Sequence, residues 1–391
     1  MSRQQTIRSF EGARGIAALI VAIYHFGIAR EFPLIGYGYL FVDLFFVLSG
    51  LLVCSIYVDK LDTANKVASF LIRRFGRLFP LLTATAIGYV LVDNGVILLK
   101  NQAVSFGLTE FKNSISSKPY SLPGIGEIAA ILTMTHALGI FERVVANPVS
   151  WSISAEFYTY VIFSGICLLV SDRHNRAKVF IVIAMIGYAL TIWASVSHDE
   201  CIVAGKCMDV TYDLGFARCV LGFFAGGATW LLSKFLAEPS RQILALLQVA
   251  AVICLVLIFS FIDSAPWVAF VCPFAFALLL LGLSRDTGVI AAVLGRPFFQ
   301  LLGERSYSIY MIHSIILLLI VPAQVKLAGT MYSWALLLLY LITIISIAEI
   351  TYRRIEVPWR DYFNKVADRT RQPDEILKDK RSIDRSDHTL L

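Results

Sequence analysis

The sequence predicts an all-α, polytopic membrane protein of about ten transmembrane helices with both termini cytoplasmic. Three observations predict it: too many apolar residues for one globular core, apolar runs of spanning length, and positive charge that alternates between the two sides. Of 391 residues, 58% are hydrophobic and 16% charged, with a mean hydropathy of +0.72. Soluble domains run roughly 45–50% apolar and about 25% charged, so lipid must be the solvent for much of this surface. The formal charge of +6 lies between apolar runs and in the tail. That is membrane-orienting charge and speaks against a nucleic-acid partner.

A spanning helix needs about 20 mainly apolar residues. Ten stretches qualify: 15–30, 37–58, 79–99, 148–171, 177–197, 214–235, 242–262, 266–284, 306–325 and 333–352. The first has Arg14 at its start and no small-residue cleavage site after it, so it reads as an uncleaved anchor. With a cytoplasmic N-terminus, the inner segments carry Arg3, Arg8, Lys60, Lys66, Arg73, Arg74, Arg77 and others, twice the Lys and Arg of the outer loops. Residues 100–147 form one long outer loop, in which Ile128 to Phe141 is too short to span and is expected to be re-entrant or interfacial. Cys201 and Cys207 share a short loop expected on the outer side, and whether they pair depends on whether that side is oxidising. Residues 361–391 are expected to be a charged, disordered cytoplasmic tail, with almost no large apolar groups after 365.

Charged groups at membrane depth are expensive and usually functional. Arg14 and His25, eleven steps apart on one helix, project from one face and are separated by about 16 Å along the axis. A snorkelling arginine and an internally bonded histidine would satisfy the same spacing. Arg74 and Arg77 share a face at the inner end of the third helix. They suit a phosphate-bearing ligand as well as a topology signal. Trp151, Ser152, Glu156 and Tyr158 open the fourth helix in SWSISAEFYTY, where Glu156 needs a basic partner or a headgroup position. Asp43 is a lone acid in the second helix, followed by Ser49 and Gly50, which read as close-packing residues. Arg305, Tyr307, Tyr310 and His313 enter the ninth helix in GERSYSIYMIH, and His313 reads first as a hydrogen-bonded structural histidine.

Five segments, FEGARGIAALIVAIYHF, FVDLFFVLSGLL, FLIRRFGRLFP, SWSISAEFYTY and GERSYSIYMIH, occur in this order. Together they resemble the acyltransferase-3 family of integral membrane O-acyltransferases. Two departures are visible: Glu11 stands where aspartate is commoner, and Phe41 where glycine is commoner before Val42 and Asp43. The resemblance implies a ten-helix enzyme in the bacterial inner membrane, with residues 1–360 as its membrane acyltransferase domain. It implies transfer from cytoplasmic acyl-coenzyme A to a hydroxyl of an envelope glycan or glycolipid, with acetyl as the default and succinyl as the alternative. No appended soluble domain is expected, and the chain is expected to act alone on its acceptor.

Under that resemblance His25, Arg14 and Glu156 are the catalytic candidates. His25 is the base, and Glu156 orients it or pairs with a basic group. Arg14, Arg74 and Arg77 would hold the coenzyme A phosphates, with the pantetheine arm running from Arg14 toward His25. Asp43, Trp151, Tyr158, Arg305, Tyr310 and His313 are expected to contact substrate, and no metal is expected. An anionic acyl group would need a further cation, for which Arg218 and Arg305 are available. The rival reading is a transporter or flippase for a lipid-linked sugar or small anion. It suits the charges and the span number, but the chain shows no internal repeat.

Overall fold

The computed structural model describes residues 7–28, 32–106, 122–197, 201–235 and 239–370. Its main helices, in chain order, are α1 (Arg8–Phe26), α2 (Phe41–Tyr57), α3 (Ala64–Ser105), α4 (Ile125–Leu132), α5 (Trp151–Leu169), α6 (Arg173–Ser197) and α7 (Gly215–Ser233). They continue with α8 (Arg241–Phe261), α9 (Cys272–Leu283), α10 (Val289–Leu294), α11 (Pro297–Glu304), α12 (Ser306–Leu327) and α13 (Tyr332–Thr351). Among the described residues there is no strand, and nine helices are long and apolar enough to cross a membrane. The tenth expected span corresponds to α1, which Arg8, Glu11, Arg14 and His25 make too polar for that count. Lipid does not surround α1: it packs against α2, α11 and α12, so its polar groups face protein.

The outward faces are apolar in place of the usual charged stripe. Val182, Met185 and Ile186 on α6 and Leu246, Val249 and Val256 on α8 are exposed, as a lipid-facing surface requires. Inside, close helix approach is built on glycine. A Cβ at Gly50 of α2 would lie 1.8 Å from the Phe223 carbonyl of α7, and one at Gly226 of α7 would lie 2.0 Å from the Val47 carbonyl of α2. Gly303 of α11 likewise meets the Glu11 carbonyl of α1 at 2.0 Å. Small residues at such contacts let the backbones touch where no hydrophobic effect drives helix association.

Two element ends depend on distant residues. The first free N–H groups of α1 are capped by Asp286, which accepts from Arg8 N at 2.8 Å and Ser9 N at 2.7 Å. This starts α1 at Arg8, well before the apolar run. Buried Arg176 donates to the Val58, Val170 and Cys167 carbonyls, closing the ends of α2 and α5. The 42 residues of α3 reach about 63 Å, twice a hydrocarbon core.

The N-terminal half of α3 packs on the continuation of α13. After Thr351 that helix widens through a π-turn, Tyr352–Glu356, and runs on to Thr370. Ser69 donates to Ala367 O, Arg73 bonds Asn364 and Asp368, and Phe363 fills the space over Gly76. The boundary expected after residue 360 therefore falls inside a packed helix; residues 371–391 of the expected tail lie outside the described residues. Of the expected loop 100–147, the first residues to Ser105 belong to α3, and the described residues beyond it form one further helix, α4, held by Glu127 back to Gly124 N. Cys201 and Cys207 are disulfide-bonded.

Candidate active site

A cavity of about 320 Å³ opens between α1, α2, α3, α5 and α12. Arg14, Arg74, Arg77, Glu11, Glu156, Ser49 and Tyr310 all line it. The structure thus brings the three arginines expected to bind the donor into one space with Glu156.

The three guanidiniums are not equivalent. Arg14 bonds both oxygens of Glu11 at 3.3 Å. Arg77 makes no hydrogen bond or ion pair to a carboxylate among the described residues, but the fields of Glu356, Glu11 and Glu156 reach it. Glu356 is drawn inward by the π-turn, is 5% exposed and accepts from Ser308 at 3.0 Å. Arg74 has no carboxylate hydrogen bond among the described residues. It lies among the rings of Tyr57, Phe70 and Tyr160, at 5.1, 5.3 and 5.5 Å, and its Nε is buried without a hydrogen-bond partner. Aromatic faces hold a cation in place without neutralising it. Arg74 is therefore a cation left available to an incoming anion.

Glu156 is bound differently from the expected pairing with His25 or a base. Its Oε1 accepts from Ser49 Oγ at 2.6 Å and from the Tyr160 hydroxyl, and those two hydroxyls are 2.8 Å apart. Ser49 therefore serves the site directly, whereas close packing falls to Gly50 alone. Ser49, Tyr160 and Glu356 are site residues that sequence reasoning missed. Tyr160 carried a signal, four residues after Glu156 on one helical face. The Ser49 and Glu356 contacts cross between helices and left no local pattern.

At one end the cavity is walled by Phe45 and Tyr310, whose rings are 6.0 Å apart. Ser152 donates to the Tyr310 hydroxyl at 2.9 Å, and that hydroxyl donates to Val149 O at 3.0 Å. Past Tyr310 stands buried His313, ring to ring at 5.7 Å, and next to it His25 at 5.0 Å. His25 does not line the cavity. It sits in the last turn of α1, where the residue is exposed, within the field of Asp209 from the segment after the disulfide.

The ring nitrogens fix the tautomers. His313 Nδ1 lies 2.6 Å from Tyr310 O, a carbonyl that can only accept, so Nδ1 carries the hydrogen and Nε2 is a lone pair. His25 Nδ1 lies 2.9 Å from Val21 O and 3.3 Å from His313 Nε2, two acceptors, so it too is protonated. The His25 Nε2 lone pair is left as a base.

The remaining candidates lie off the cavity. Asp43 is fully buried in a two-point pair with Arg218, at 2.9 and 2.8 Å, and Arg218 also donates to Tyr39 O at 2.9 Å. The lone acid is thus an ion-paired one. Trp151 covers that pair, with Arg218 5.7 Å from its ring. Tyr158 donates to Thr133 O at 2.9 Å in the loop. Arg305 is engaged by Glu349 and Glu304. Among the described residues no three of His, Cys, Asp and Glu gather as a metal site would need.

Half-buried guanidiniums and a carboxylate around a cavity inside a bundle of apolar helices define a polytopic membrane protein with an internal polar site. The chain belongs to the acyltransferase-3 family, an acyltransferase domain that matches residues 7–352. It is similar to a Staphylococcus aureus strain COL protein whose name assigns it provisionally to the O-acetyltransferases, with 24% identity over 92% of this chain and 58% of that one. It is also similar to the peptidoglycan O-acetyltransferase OatA of Listeria monocytogenes, at 24% identity over 90% of this chain and 56% of the relative. The O-acetyltransferase OatA of a second S. aureus strain is 22% identical over the same shares. The chain thus spans little more than half the length of these curated relatives. No solved structure matches it.

Proposed function

We propose that the chain is a membrane O-acyltransferase, taking an acetyl group from cytoplasmic acyl-coenzyme A and delivering it to a hydroxyl of an envelope glycan. The observation that carries the reading is Arg74, a guanidinium without a carboxylate hydrogen bond, in one cavity with Arg14 and Arg77. Anionic phosphate suits such a site: each charge-assisted bond is about twice as strong as a neutral one. The relatives named for O-acetyl transfer, one of them to peptidoglycan, support acetyl as the group and a glycan as the acceptor. Succinyl finds less support, because the two cations available for a second carboxylate, Arg218 and Arg305, are both engaged by protein carboxylates.

In the reaction the acceptor oxygen attacks the thioester carbonyl and gives its proton to His25 Nε2. The carbon–sulfur bond then breaks, and the thiolate leaves with that proton. The wall of Phe45 and Tyr310 stands between the arginines and His25, so the pantetheine arm passes it for transfer to occur. The test is thiol release by the purified chain from a panel of acyl-coenzyme A donors, with peptidoglycan fragments as acceptor. Acceptor-dependent release is expected to be fastest with acetyl; a transporter would release no thiol.

Arg74→Ala should weaken acetyl-coenzyme A binding about 10- to 100-fold, the loss of a charged hydrogen bond. Wild-type affinity should fall with salt more steeply than that of the variant. Arg77→Ala should chiefly lower folded yield, since buried Glu356 loses the cation whose field reaches it. Equal donor affinity of Arg74→Ala and wild type, measured by direct binding, would remove Arg74 from the phosphate site.

The positive-inside rule puts the Arg74 end of the bundle in the cytoplasm. The Cys201–Cys207 disulfide then faces the periplasm. A membrane-impermeant maleimide applied to intact cells should label these cysteines only after reduction. Labelling confined to inverted vesicles would reverse the topology.

A further inference from the structure

We propose that His313 is a positioning residue for His25: its Nε2 lone pair shares the His25 Nδ1 hydrogen with the Val21 carbonyl, 2.9 Å away, and so helps to present His25 Nε2 as the base. The inference rests on the reading of His25 as the proton acceptor. Its geometry stands independently of that reading.

The chain of contacts runs in one direction. The Tyr310 carbonyl takes the His313 Nδ1 hydrogen at 2.6 Å, and His313 Nε2 faces His25 Nδ1 at 3.3 Å. His313 itself is fully buried, and its carbonyl accepts from the Tyr340 hydroxyl at 3.1 Å, which also reaches Ala22 O of α1. The side chain therefore cannot turn without breaking its bonds to Tyr310 O on α12 and to His25 on α1. A base held in this way by a neighbour's acceptor is the arrangement that keeps an imidazole in one tautomer.

The same hydrogen bond acts on charge. When His25 Nε2 takes a proton, Nδ1–H becomes a stronger donor, and the His313 lone pair stabilises the imidazolium. The other groups facing His25 are the Tyr24 ring at 5.0 Å, Tyr39 behind it, Tyr310 beyond His313, and Asp209 from the segment after the disulfide. Asp209 acts at longer range and is untouched by substitutions at His313. Tyr310 carries a second consequence. Its ring closes the cavity while its carbonyl orients His313, so a displacement of this residue by the donor arm is transmitted to the base.

The test titrates His25 without requiring any acyl transfer. Diethylpyrocarbonate reacts with neutral imidazole, and mass-spectrometric peptide mapping of the full chain resolves each histidine. In wild type, His25 should react readily and His313 hardly at all, because both His313 nitrogens are engaged. Reaction of His313 at the rate of His25 would overturn the proposal without any variant. In His313→Phe the pH of half-maximal His25 reaction should fall by about one unit, the size of one lost hydrogen bond to a charged group. His313→Gln, whose amide oxygen accepts the same hydrogen, should restore the wild-type midpoint. An unmoved midpoint in folded His313→Phe would overturn the proposal.

Turnover is the second readout. His313→Phe should lower kcat about tenfold with acetyl-coenzyme A while leaving its KM unchanged. A shifted midpoint with unaltered kcat would keep the positioning role and remove His25 from the chemistry.

Discussion

His25→Ala is expected to bind acetyl-coenzyme A nearly as well as wild type and to turn it over about 10²–10⁴-fold more slowly, the usual loss of a general base. The separation follows from where the groups lie. Donor contacts are assigned to Arg14, Arg74 and Arg77 on the cavity side of Tyr310, whereas His25 stands past that wall against His313. Alanine at position 25 removes the lone pair and leaves the cavity intact. A sugar hydroxyl is a poor nucleophile near neutral pH, so the step that suffers is proton removal as the C–O bond forms. Direct donor binding and single-turnover acyl transfer on the same detergent-purified variant separate the two quantities. Near-normal transfer would remove His25 from the mechanism while leaving the family membership untouched. A parallel fall in binding, turnover and folded yield would mark the histidine as packing only.

What the sequence revealed divides along a physical line. Span positions were legible because twenty apolar residues are dictated by bilayer thickness, a property each segment must satisfy alone. The expected 242–262 and 306–325, for instance, are the observed Arg241–Phe261 and Ser306–Leu327. Helix ends set by remote partners were not legible. Nothing near Arg8 announces that Asp286, far along the chain, will cap it, and nothing after Pro358 announces that α3 will extend to receive a continuing helix.

The site divides in the same way. Arg14, Arg74 and Arg77 share a cavity because each is a cation the bilayer would not otherwise tolerate, a constraint visible residue by residue. Their inequality was hidden: Glu11, three residues before Arg14, could have been paired with it, but the aromatic setting of Arg74 is assembled from three helices. Glu156 was singled out correctly as out of place, yet its partners are Ser49 and Tyr160 and not the base. Ser154, a natural comparison for Glu156, is itself a tie, donating to Met134 O and accepting from Ala137 N. Thr159, bonded to Ala155 O in its own helix and to Cys219 Sγ of α7 at 3.4 Å, is tied in as well.

Asp43→Ala and Arg218→Ala are each expected to lower the unfolding free energy by about 3–5 kcal/mol, the loss on leaving one buried charge without its partner. Both side chains are almost completely enclosed, at 0% and 1% exposure, and two hydrogen bonds join them. Neither opens onto the cavity, so the effect is one of folding and not of donor affinity. The pair sits at the seam where Gly50 and Gly226 bring α2 and α7 into backbone contact. A stray charge there has no water to turn to, and the helices cannot separate to admit any without losing the glycine contacts. The double variant Asp43→Leu/Arg218→Met discriminates between charge and packing. Removing both charges together while keeping volume should recover most of the stability, because desolvating the pair costs about as much as its attraction returns. Unfolding in mixed micelles, followed on wild type, the two single variants and the double, gives the coupling directly. Single variants as stable as wild type would show that water reaches this pair in the membrane, contrary to its enclosure between α2 and α7.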